Sequence, residues 1–325
     1  MFNHRKTEIA DDEVGKIIKR DLTNDIIDGY LLFGEDRVCL PKYYEEREAE
    51  IENFEIRNDD VIVASFPRTG TTWTQEMVWL LKNDLDYEGA KMDINDRFPF
   101  FELPETCNRN CKQLYDELRN KSGTRFLKTH HSFSLLPKQI RDGSRTPKII
   151  FLMRNPKDAF LSYHHVGLCA LGWRANREDF AKVYLADKVL FGPYWKKVHG
   201  YWNMRHLPNL LILKYEEMIK DLRSVVQKTC AFLEKKPLSE EQLEKLCTHL
   251  SFKSMKSNPA VNFQQLIDDR KPYNPTINGS FIRSGKVQGY KEEMSPKLIS
   301  EFDEWIKKNI ENTDFDERYA YFGEV

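Results

Sequence analysis

Four short runs of apolar residues are spaced along the chain, each bounded by polar or turn-forming positions. They are VIVAS (Val61–Ser65), RFLKT (Arg125–Thr129), KIIFLM (Lys148–Met153) and LLILK (Leu210–Lys214). A strand with one exposed face alternates apolar and polar residues, whereas a strand inside a parallel sheet is buried on both faces and is apolar throughout. The four runs therefore predict strands of a parallel sheet.

Segments with helical periodicity lie between and after these runs. Apolar side chains recur every three or four positions in two stripes, namely Trp73, Met77, Leu80 and Leu81, and Leu222, Val225, Val226, Thr229 and Leu233. Two more helices are predicted where a capping residue precedes a first-turn proline, at Asn155-Pro156 and Ser295-Pro296. Strands alternating with helices predict an α/β fold, in which helices flank a central parallel sheet.

Length and composition set the scale of the molecule. The 325 residues are enough for one large α/β domain or two small ones, and 40% hydrophobic residues can bury a sizeable core. Residues 257–290 are rich in Asn, Pro, Gly and charge, and we expect a long functional surface loop there. Fifty basic residues face 51 acidic ones, which makes a general nucleic-acid binder a poor candidate. Any anion site must be local.

The cysteines and the N-terminus indicate a cytosolic protein. The six cysteines are scattered, and only Cys107 and Cys111 are close together, so we predict reduced thiols and no metal site. The first residues, MFNHRKTEIADDEVGK, are too polar for a signal peptide, and no apolar run approaches membrane-spanning length.

Cations and a histidine follow the predicted strands at their carboxyl ends. Arg68 follows the first strand, Lys128 and His130 lie at the end of the second, and Arg154 follows the third. Ligands of open parallel sheets bind beyond these ends, so the pattern predicts one anionic ligand that spans several strands.

The loop SFPRTGTTW resembles a phosphate-binding loop but is not the triphosphate loop G-x-x-x-x-G-K-[ST]. Gly70 permits a tight turn, and the amides near Thr71 and Thr72 can donate to an anion from a helix N-terminus. The Arg68 guanidinium adds charged donors. The alternative is an ordinary strand-to-helix turn in which threonine caps the helix.

Lys128 and His130 are two residues apart, so on an extended chain they face the same side. Histidine is the usual general base near neutral pH, and His130 is the candidate base here. The alternative is a structural histidine. His131 faces the other way and is predicted to be structural.

Taken together, these segments resemble the cytosolic sulfotransferases, which transfer a sulfonate from 3′-phosphoadenosine 5′-phosphosulfate (PAPS) to a small acceptor. SFPRTGTTW is similar to the family's 5′-phosphosulfate loop, FLKTHHSFSLLP to its KTHLP segment, and KIIFLMRNPKDAFLSYHH to its 3′-phosphate motif. LILKYEEM and SFKSMKSNP resemble the adenine-side segments, and FIRSGKVQGYK resembles the C-terminal RKGxxGDWK motif. The resemblance covers nearly the whole chain and implies a single domain over residues 1–325, in which residues 1–50 contribute to the acceptor pocket.

The resemblance also implies roles for individual residues. His130 would be the base, with Lys128 and Arg68 as the other catalytic residues. Thr69 to Thr72 would hold the 5′-phosphate, Arg154 and Ser162 the 3′-phosphate. The full set of implied cofactor-binding residues is Arg68, Thr69, Gly70, Thr71, Thr72, Trp73, Arg154, Ser162, Tyr215, Ser251, Phe252, Arg283, Ser284 and Gly285. No metal is expected, because amides and cations can meet the charge of the leaving phosphate.

Three positions depart from the family pattern. Arg68 stands where the family usually has lysine, and Ser284 replaces the second basic residue of the RKG motif. The family's dimer signature, KxxxTVxxxE, would fall on KEEMSPKLIS (Lys291–Ser300), where Pro296 and Ser300 break it. A monomer or an atypical homodimer is therefore expected.

Aromatic and apolar residues near the proposed base predict the acceptor class. The candidate pocket residues are Phe98, Phe100, Phe101, Phe133 and Val166. An apolar wall favours a small apolar alcohol: a phenol, a sterol or an isoprenoid. With an allylic alcohol, elimination of the sulfate ester could make the net reaction a dehydration. The alternatives are a small-molecule kinase on a related fold and a non-catalytic PAPS or lipid carrier.

Overall fold

The computed structural model describes residues 6–24, 27–103, 110–271, 279–316 and 319, and its centre is a four-stranded parallel sheet. The strands are β4 (Val61–Ser65), β5 (Phe126–Thr129), β6 (Lys148–Met153) and β7 (Leu210–Lys214), in the order β5-β4-β6-β7. The predicted strands are confirmed, and β5 alone begins one residue later than its apolar run. The register pairs Ala64 with Thr129 and Ser65 with Leu152, so the carboxyl ends meet at one edge.

Alternate residues of each strand enter two hydrophobic cores on opposite faces of the sheet. Ile62 and Ala64 of β4 belong to one core, whereas Val61 and Val63 belong to the other. The sheet therefore has no solvated face, and this is the physical reason why the strands are apolar throughout.

Helices pack on both faces of the sheet, and further helices follow its last strand, β7, in the chain. The α-helices of the described residues are α1 (Glu13–Ile17), α2 (Glu48–Glu52), α3 (Thr71–Lys82), α4 (Ile94–Arg97), α5 (Cys111–Asn120), α6 (Lys138–Arg141), α7 (Pro156–Ala170), α8 (Arg177–Leu185), α9 (Tyr194–Asn203), α10 (Tyr215–Lys220), α11 (Leu222–Phe232), α12 (Glu240–His249), α13 (Phe252–Ser257), α14 (Gln264–Arg270), α15 (Tyr290–Glu293) and α16 (Pro296–Ile310). Within this part of the chain, none of them combines the length and the apolarity needed to span a bilayer.

The two proline signals mark helix starts as predicted. The Asn155 side chain accepts a hydrogen bond from the Lys157 amide, and Pro156 occupies the first turn of α7. Ser295 caps α16 by accepting from the Leu298 amide at 3.2 Å. Pro296, which interrupts the family's dimer signature, thus lies in the first turn of a helix here, with Ser295 as the capping residue.

Two parts of the fold differ from the sequence-based expectation. An antiparallel sheet of β1 (Lys6–Glu8), β2 (Tyr30–Phe33) and β3 (Val38–Pro41) precedes the parallel one and was not predicted. Its strands are only three or four residues long, too short for a clear period. The expected surface loop over residues 257–290 contains helix α14, while residues 272–278 lie outside the described part. Ile267 of α14 is fully buried against α7 residues, which explains why this segment is ordered as a helix.

A buried ion pair joins the amino ends of β4 and β5. Arg125 donates to both carboxylate oxygens of Asp60, from Nε at 2.7 Å and from a terminal nitrogen at 2.5 Å. Both side chains are at most 1% exposed, and the Val61 amide donates to the Arg125 carbonyl at 2.9 Å. The pair therefore fixes two adjacent strands at the edge opposite the ligand edge.

We expect Arg125→Met to lower the free energy of unfolding by about 3–5 kcal/mol, because it leaves the buried Asp60 carboxylate without its partner. Arg119→Met is the matched control: Arg119 is 43% exposed, also packs over Phe54, and pairs with Glu50 and Asp116 at the surface. The control should cost about 0–1 kcal/mol. Equal losses in urea unfolding would show that the buried pair contributes no more than a surface pair.

Candidate active site

The loop from β4 to α3 has the tight geometry that the sequence predicted. Arg68 has φ +71° and Gly70 has φ +106°, both in the left-handed region. A Cβ on Gly70 would lie 2.9 Å from Tyr215 Cδ2, so both the backbone angle and the space require glycine. Helix α3 starts directly afterwards at Thr71, and the amides of its first turn have no partner within the helix. The loop therefore directs free amides and the positive end of a helix dipole into one cavity.

Thr69 and Thr71 have different places in this loop. The Thr69 hydroxyl donates to the Phe66 carbonyl at 2.8 Å and is fully buried beneath the loop, outside the cavity lining. The Thr71 hydroxyl lies 2.6 Å from the Ser65 hydroxyl and lines the cavity, as Thr72 and Trp73 do. The resemblance implied that Thr69 holds the 5′-phosphate, but its side chain stabilises the loop and does not line the cavity.

Arg68 connects the loop to the segments expected at the 3′-phosphate. Its Nε lies 3.2 Å from the Ser162 hydroxyl, and a terminal nitrogen donates to the Phe281 carbonyl at 2.7 Å. The guanidinium carbon is 4.2 Å from the centre of the Phe281 ring. Burial, followed by the charge of Arg154, lowers the pKa of Arg68 to about 10. A bound anion would relieve this unfavourable burial of positive charge.

Arg154 shows that this region fits an anion. Its terminal nitrogens donate to the Arg68 and Lys286 carbonyls at 3.0 and 3.1 Å, and its guanidinium lies 4.1 Å from the Tyr215 ring centre. Its Nε is buried and has no hydrogen-bond partner among the described residues. A buried charged donor left unsatisfied is costly, and a phosphate oxygen is the acceptor that it suits.

The C-terminal motif closes the cavity from the other side. Gly285 has φ +65°, and a Cβ there would lie 2.5 Å from the Phe252 ring, so glycine is needed for this close approach. Arg283, Ser284, Gly285 and Phe252 all line the cavity. Ser251 does not: its hydroxyl accepts from the Ser254 amide at 3.3 Å and caps α13.

His130 faces the same cavity at the end of β5. Its Nδ1 lies 3.0 Å from the Ser65 carbonyl oxygen and 3.2 Å from the Ser65 hydroxyl. A carbonyl oxygen can only accept, so this contact requires the proton on Nδ1, and in the neutral ring Nε2 then keeps its lone pair. Lys128 lines the cavity beside it, with its ammonium 4.0 Å from the centre of the Phe100 ring. The sequence prediction that Lys128 and His130 face one side is confirmed.

The surroundings of His130 favour a neutral imidazole. Burial, followed by the charges of Lys128 and Lys197, lowers the pKa of His130 well below its ordinary value. The His130 amide donates to a carboxylate oxygen of Glu102, which fixes the backbone at the strand end. Burial raises the pKa of the Glu102 carboxyl to about 7. An uncharged imidazole with a free Nε2 is suited to take a proton at neutral pH.

Three further histidines, His131, His164 and His165, occupy structural positions. His131 is fully buried, its Nδ1 lies 3.1 Å from the Leu135 carbonyl, and its ring packs edge-on against Tyr44. His164 and His165 contact the Ala175 and Ser280 carbonyls through Nε2. None of the three lines the cavity.

Two of the five predicted pocket residues, Phe100 and Val166, line the cavity. The prediction is wrong for Phe98, Phe101 and Phe133. Phe100 and Lys128 form a parallel bridge, so the chain is extended there and Phe101 faces the opposite side, toward Phe54 and Tyr115. Phe98 lies in the other core against Phe126, and Phe133 packs edge-on against Tyr201 of α9.

Much of the apolar lining of the cavity is not predicted by any local sequence pattern. The additional apolar lining residues are Pro67, Leu103, Tyr163, Ala170, Leu171, Leu190, Phe191, Ile219, Leu250, Met255, Phe263, Leu266, Phe281 and Ile282. Phe281 precedes the recognised Arg283 motif and could have been found there, but Phe191 lies in a segment without any motif. Among the described residues, none before Pro67 lines the cavity, and the expected contribution of residues 1–50 to the acceptor pocket stays a prediction.

This chain is similar to known sulfotransferases over most of its length. The family model of the sulfotransferase domain matches residues 58–314. Luciferin sulfotransferase of Photinus pyralis is 49% identical over 318 residues, covering 94% of this chain and 86% of that protein. Sulfotransferase 1E1 of Homo sapiens is 32% identical over 278 residues, covering 84% and 89%. Retinol dehydratase, solved with retinol and 3′-phosphoadenosine 5′-phosphate (PAP), has a TM-score of 0.84 at 30% identity, covering 97% and 99%.

The chain belongs to the sulfotransferase family and is an enzyme of that family. The α/β fold with a central parallel sheet, predicted from the apolar runs, is confirmed by these structural relatives. PAP-bound relatives support PAPS and PAP as the cofactor pair.

We expect Arg68→Met to weaken PAP binding by about tenfold or more, because a charged hydrogen bond typically contributes about 1.5–3 kcal/mol. Arg68→Lys keeps the charge but loses the fork that contacts Ser162 and Phe281, so its loss should be smaller. Calorimetric titration with PAP measures both. Arg223→Met, which removes an exposed arginine paired with Glu240 and Glu244, is the control. Wild-type affinity in Arg68→Met would remove Arg68 from the anion site.

Proposed function

We propose that this enzyme transfers the sulfonate of PAPS to the hydroxyl of a small apolar alcohol, with His130 as general base. The observation that carries the proposal is one continuous cavity. It holds the anion loop, the half-buried Arg68 and the buried Arg154 at one end, and the His130 imidazole among apolar side chains at the other.

The cofactor-binding end would hold the two phosphates separately. PAPS supplies an activated sulfonate, whose transfer leaves PAP. The α3 amides with Thr71 and Thr72 would hold the 5′ group, and Arg154 with Ser162 the 3′-phosphate. Trp73, Tyr215 and Phe252 would contact the adenine; the Trp73 and Tyr215 rings already lie 5.7 Å apart in an edge arrangement. These residues bring the reacting groups into line and stabilise negative charge, which is how such transfers are catalysed.

His130 would take the proton of the acceptor hydroxyl on Nε2. Nδ1 keeps its proton and its hydrogen bond to the Ser65 carbonyl throughout, so the imidazole keeps its orientation as it becomes positively charged. Lys128, held over the Phe100 ring, would place its ammonium toward the transferred group. Burial and the nearby cations lower the pKa of His130, which favours an unprotonated base before the acceptor arrives.

The apolar end of the cavity supports an acceptor that offers one hydroxyl and otherwise little polarity. Phe100, Val166, Leu190, Phe191 and Phe281 line it. Retinol dehydratase binds retinol in one crystal structure and androsterone in another. The class proposed here is accordingly a phenol, a sterol or an isoprenoid alcohol, and with an allylic alcohol the ester could eliminate.

Several properties stay predictions. Among the described residues, no group of three or more His, Cys, Asp and Glu side chains is arranged to hold a metal ion, and we propose metal-independent transfer.

A cytosolic location is favoured by the free thiols of Cys39, Cys111, Cys169, Cys230 and Cys247. A monomer or an atypical homodimer is favoured because Ser295 and Pro296 begin α16. The kinase alternative has no Gly-Lys-[Ser/Thr] loop to support it.

The test is PAP release from PAPS with a panel of a phenol, a sterol, a polyenyl alcohol and a charged saccharide, each with and without a chelator. We expect at least one apolar alcohol to support turnover, equally in chelator. A preference for the saccharide over every apolar alcohol would overturn the acceptor class. Turnover with ATP in place of PAPS would favour the kinase.

Variants in the same assay test the base. His130→Ala should lower the rate by about 10²- to 10⁴-fold while PAP affinity by calorimetry stays unchanged. His206→Ala, at an exposed histidine, is the matched control and should keep full activity. A mild effect of His130→Ala on the rate would assign the base to another group.

A further inference from the structure

Lys197 is a fully buried lysine close to the proposed base, and the mechanism above gives it no task. It lies on α9 with 0% of its surface exposed, and it forms no salt bridge within the described part of the chain. Its ammonium donates to the Phe191 carbonyl at 3.0 Å and lies 5.1 Å from the Phe66 ring centre. Removing a lysine from water without a carboxylate partner is costly, and such groups concentrate at functional sites.

The residue that Lys197 contacts is itself held in an unusual conformation. Phe191 has φ +65°, in the left-handed region that a phenylalanine rarely adopts. Its amide donates to the Cys39 carbonyl at 2.8 Å, and the Cys39 amide donates to the Gly192 carbonyl at 2.9 Å. Strand β3 and the Lys197 ammonium therefore hold both sides of the Phe191 peptide, which gives the N-terminal sheet its indirect part in the site.

The Phe191 ring joins this turn to the base. Its centre lies 5.2 Å from the His130 ring centre and 6.0 Å from the Phe100 ring centre, and it lines the acceptor end of the cavity. A shift of the Phe191 backbone would therefore change both the packing of the imidazole and the shape of the acceptor pocket.

We propose that Lys197 is a positioning residue of the transfer reaction: its ammonium fixes the Phe191 ring against His130 and presents a positive charge near the imidazole. The proposal rests on the proposed role of His130 as base. It assigns a steric task, which acts through Phe191, and an electrostatic task, which acts through the charge.

The electrostatic task depends on every charged group near the base. The charges of Lys128, Lys197 and Arg68 lower the pKa of His130, in decreasing order of effect. Glu102 accepts a hydrogen bond from the His130 amide, and its charge raises the pKa of Lys197. Burial lowers the pKa of Lys197 to about 7, against the opposing effect of Glu102. Below that pH Lys197 is charged, and it then repels a proton on His130. Removing the charge must therefore raise the pKa of His130.

Three variants separate the two tasks. Lys197→Met removes both the donor and the charge, whereas Lys197→Gln keeps an N–H donor and removes only the charge. Lys196→Met is the matched control, because Lys196 is the exposed neighbour on the same helix. Phe191→Leu changes the ring without changing the charge. PAP affinity by calorimetry reports that each variant is folded, because neither Lys197 nor Phe191 is assigned to the cofactor.

The measurement is the pH dependence of kcat/KM for the best phenol of the panel at saturating PAPS. We expect the acidic limb to move to higher pH in Lys197→Met and in Lys197→Gln, and to stay in place in Phe191→Leu and Lys196→Met. The acceptor KM should rise about tenfold in Lys197→Met and in Phe191→Leu. In Lys197→Gln it should rise less.

Each part of the proposal can fail separately. An unmoved acidic limb in both Lys197 variants, with PAP binding intact, would overturn the electrostatic task. An unchanged acceptor KM in Lys197→Met would overturn the steric task. If Lys197→Met does not bind PAP, Lys197→Gln and Phe191→Leu decide the two tasks. A wild-type limb that persists in His130→Gln would show that His130 is not the base, which is a failure of the proposed function instead.

Discussion

The hydrogen bond between His130 Nδ1 and the Ser65 carbonyl is the interaction on which the rest of the site depends. Ser65 ends the central strand β4, and the parallel register with β5 places His130 directly beside it. The Ser65 hydroxyl also contacts Thr71 at the start of α3. One strand end thereby sets the tautomer of the base and its distance from the anion loop. Because the register of a buried sheet is strongly specified, this geometry is fixed by the core.

Burial shifts the pKa values of the charged groups in the site, and it also makes these charges costly in free energy. Arg68 donates to one backbone carbonyl and Arg154 to two, and Arg154 keeps one buried donor without a partner among the described residues. Burial and the cations near His130 lower the pKa of the imidazole, and these cations also repel one another. An anion in the cavity offsets this repulsion, so cofactor binding and the state of the base are linked through the same charges.

The sequence predicts the parts of the molecule that depend on local pattern. The strands of the parallel sheet were found because each is apolar on both faces, and α7 and α16 because capping and proline signals are local. Lys128 and His130 were paired correctly by strand alternation. The same reasoning fails for Phe101, because alternation gives opposite sides but not which side faces the cavity. Tertiary contacts alone bring Phe191 and Lys197 to the site, and no local sequence pattern predicts their positions.

The most direct test of this account is the nitrogen NMR spectrum of the protein with ¹⁵N-labelled histidine. The His130 signals are assigned by their absence in His130→Gln. At neutral pH the account predicts a neutral imidazole with the proton on Nδ1 and a bare Nε2 facing the cavity. A proton on Nε2, or an imidazolium at that pH, would contradict it, because neither form has a lone pair on Nε2 to accept the proton of an acceptor hydroxyl.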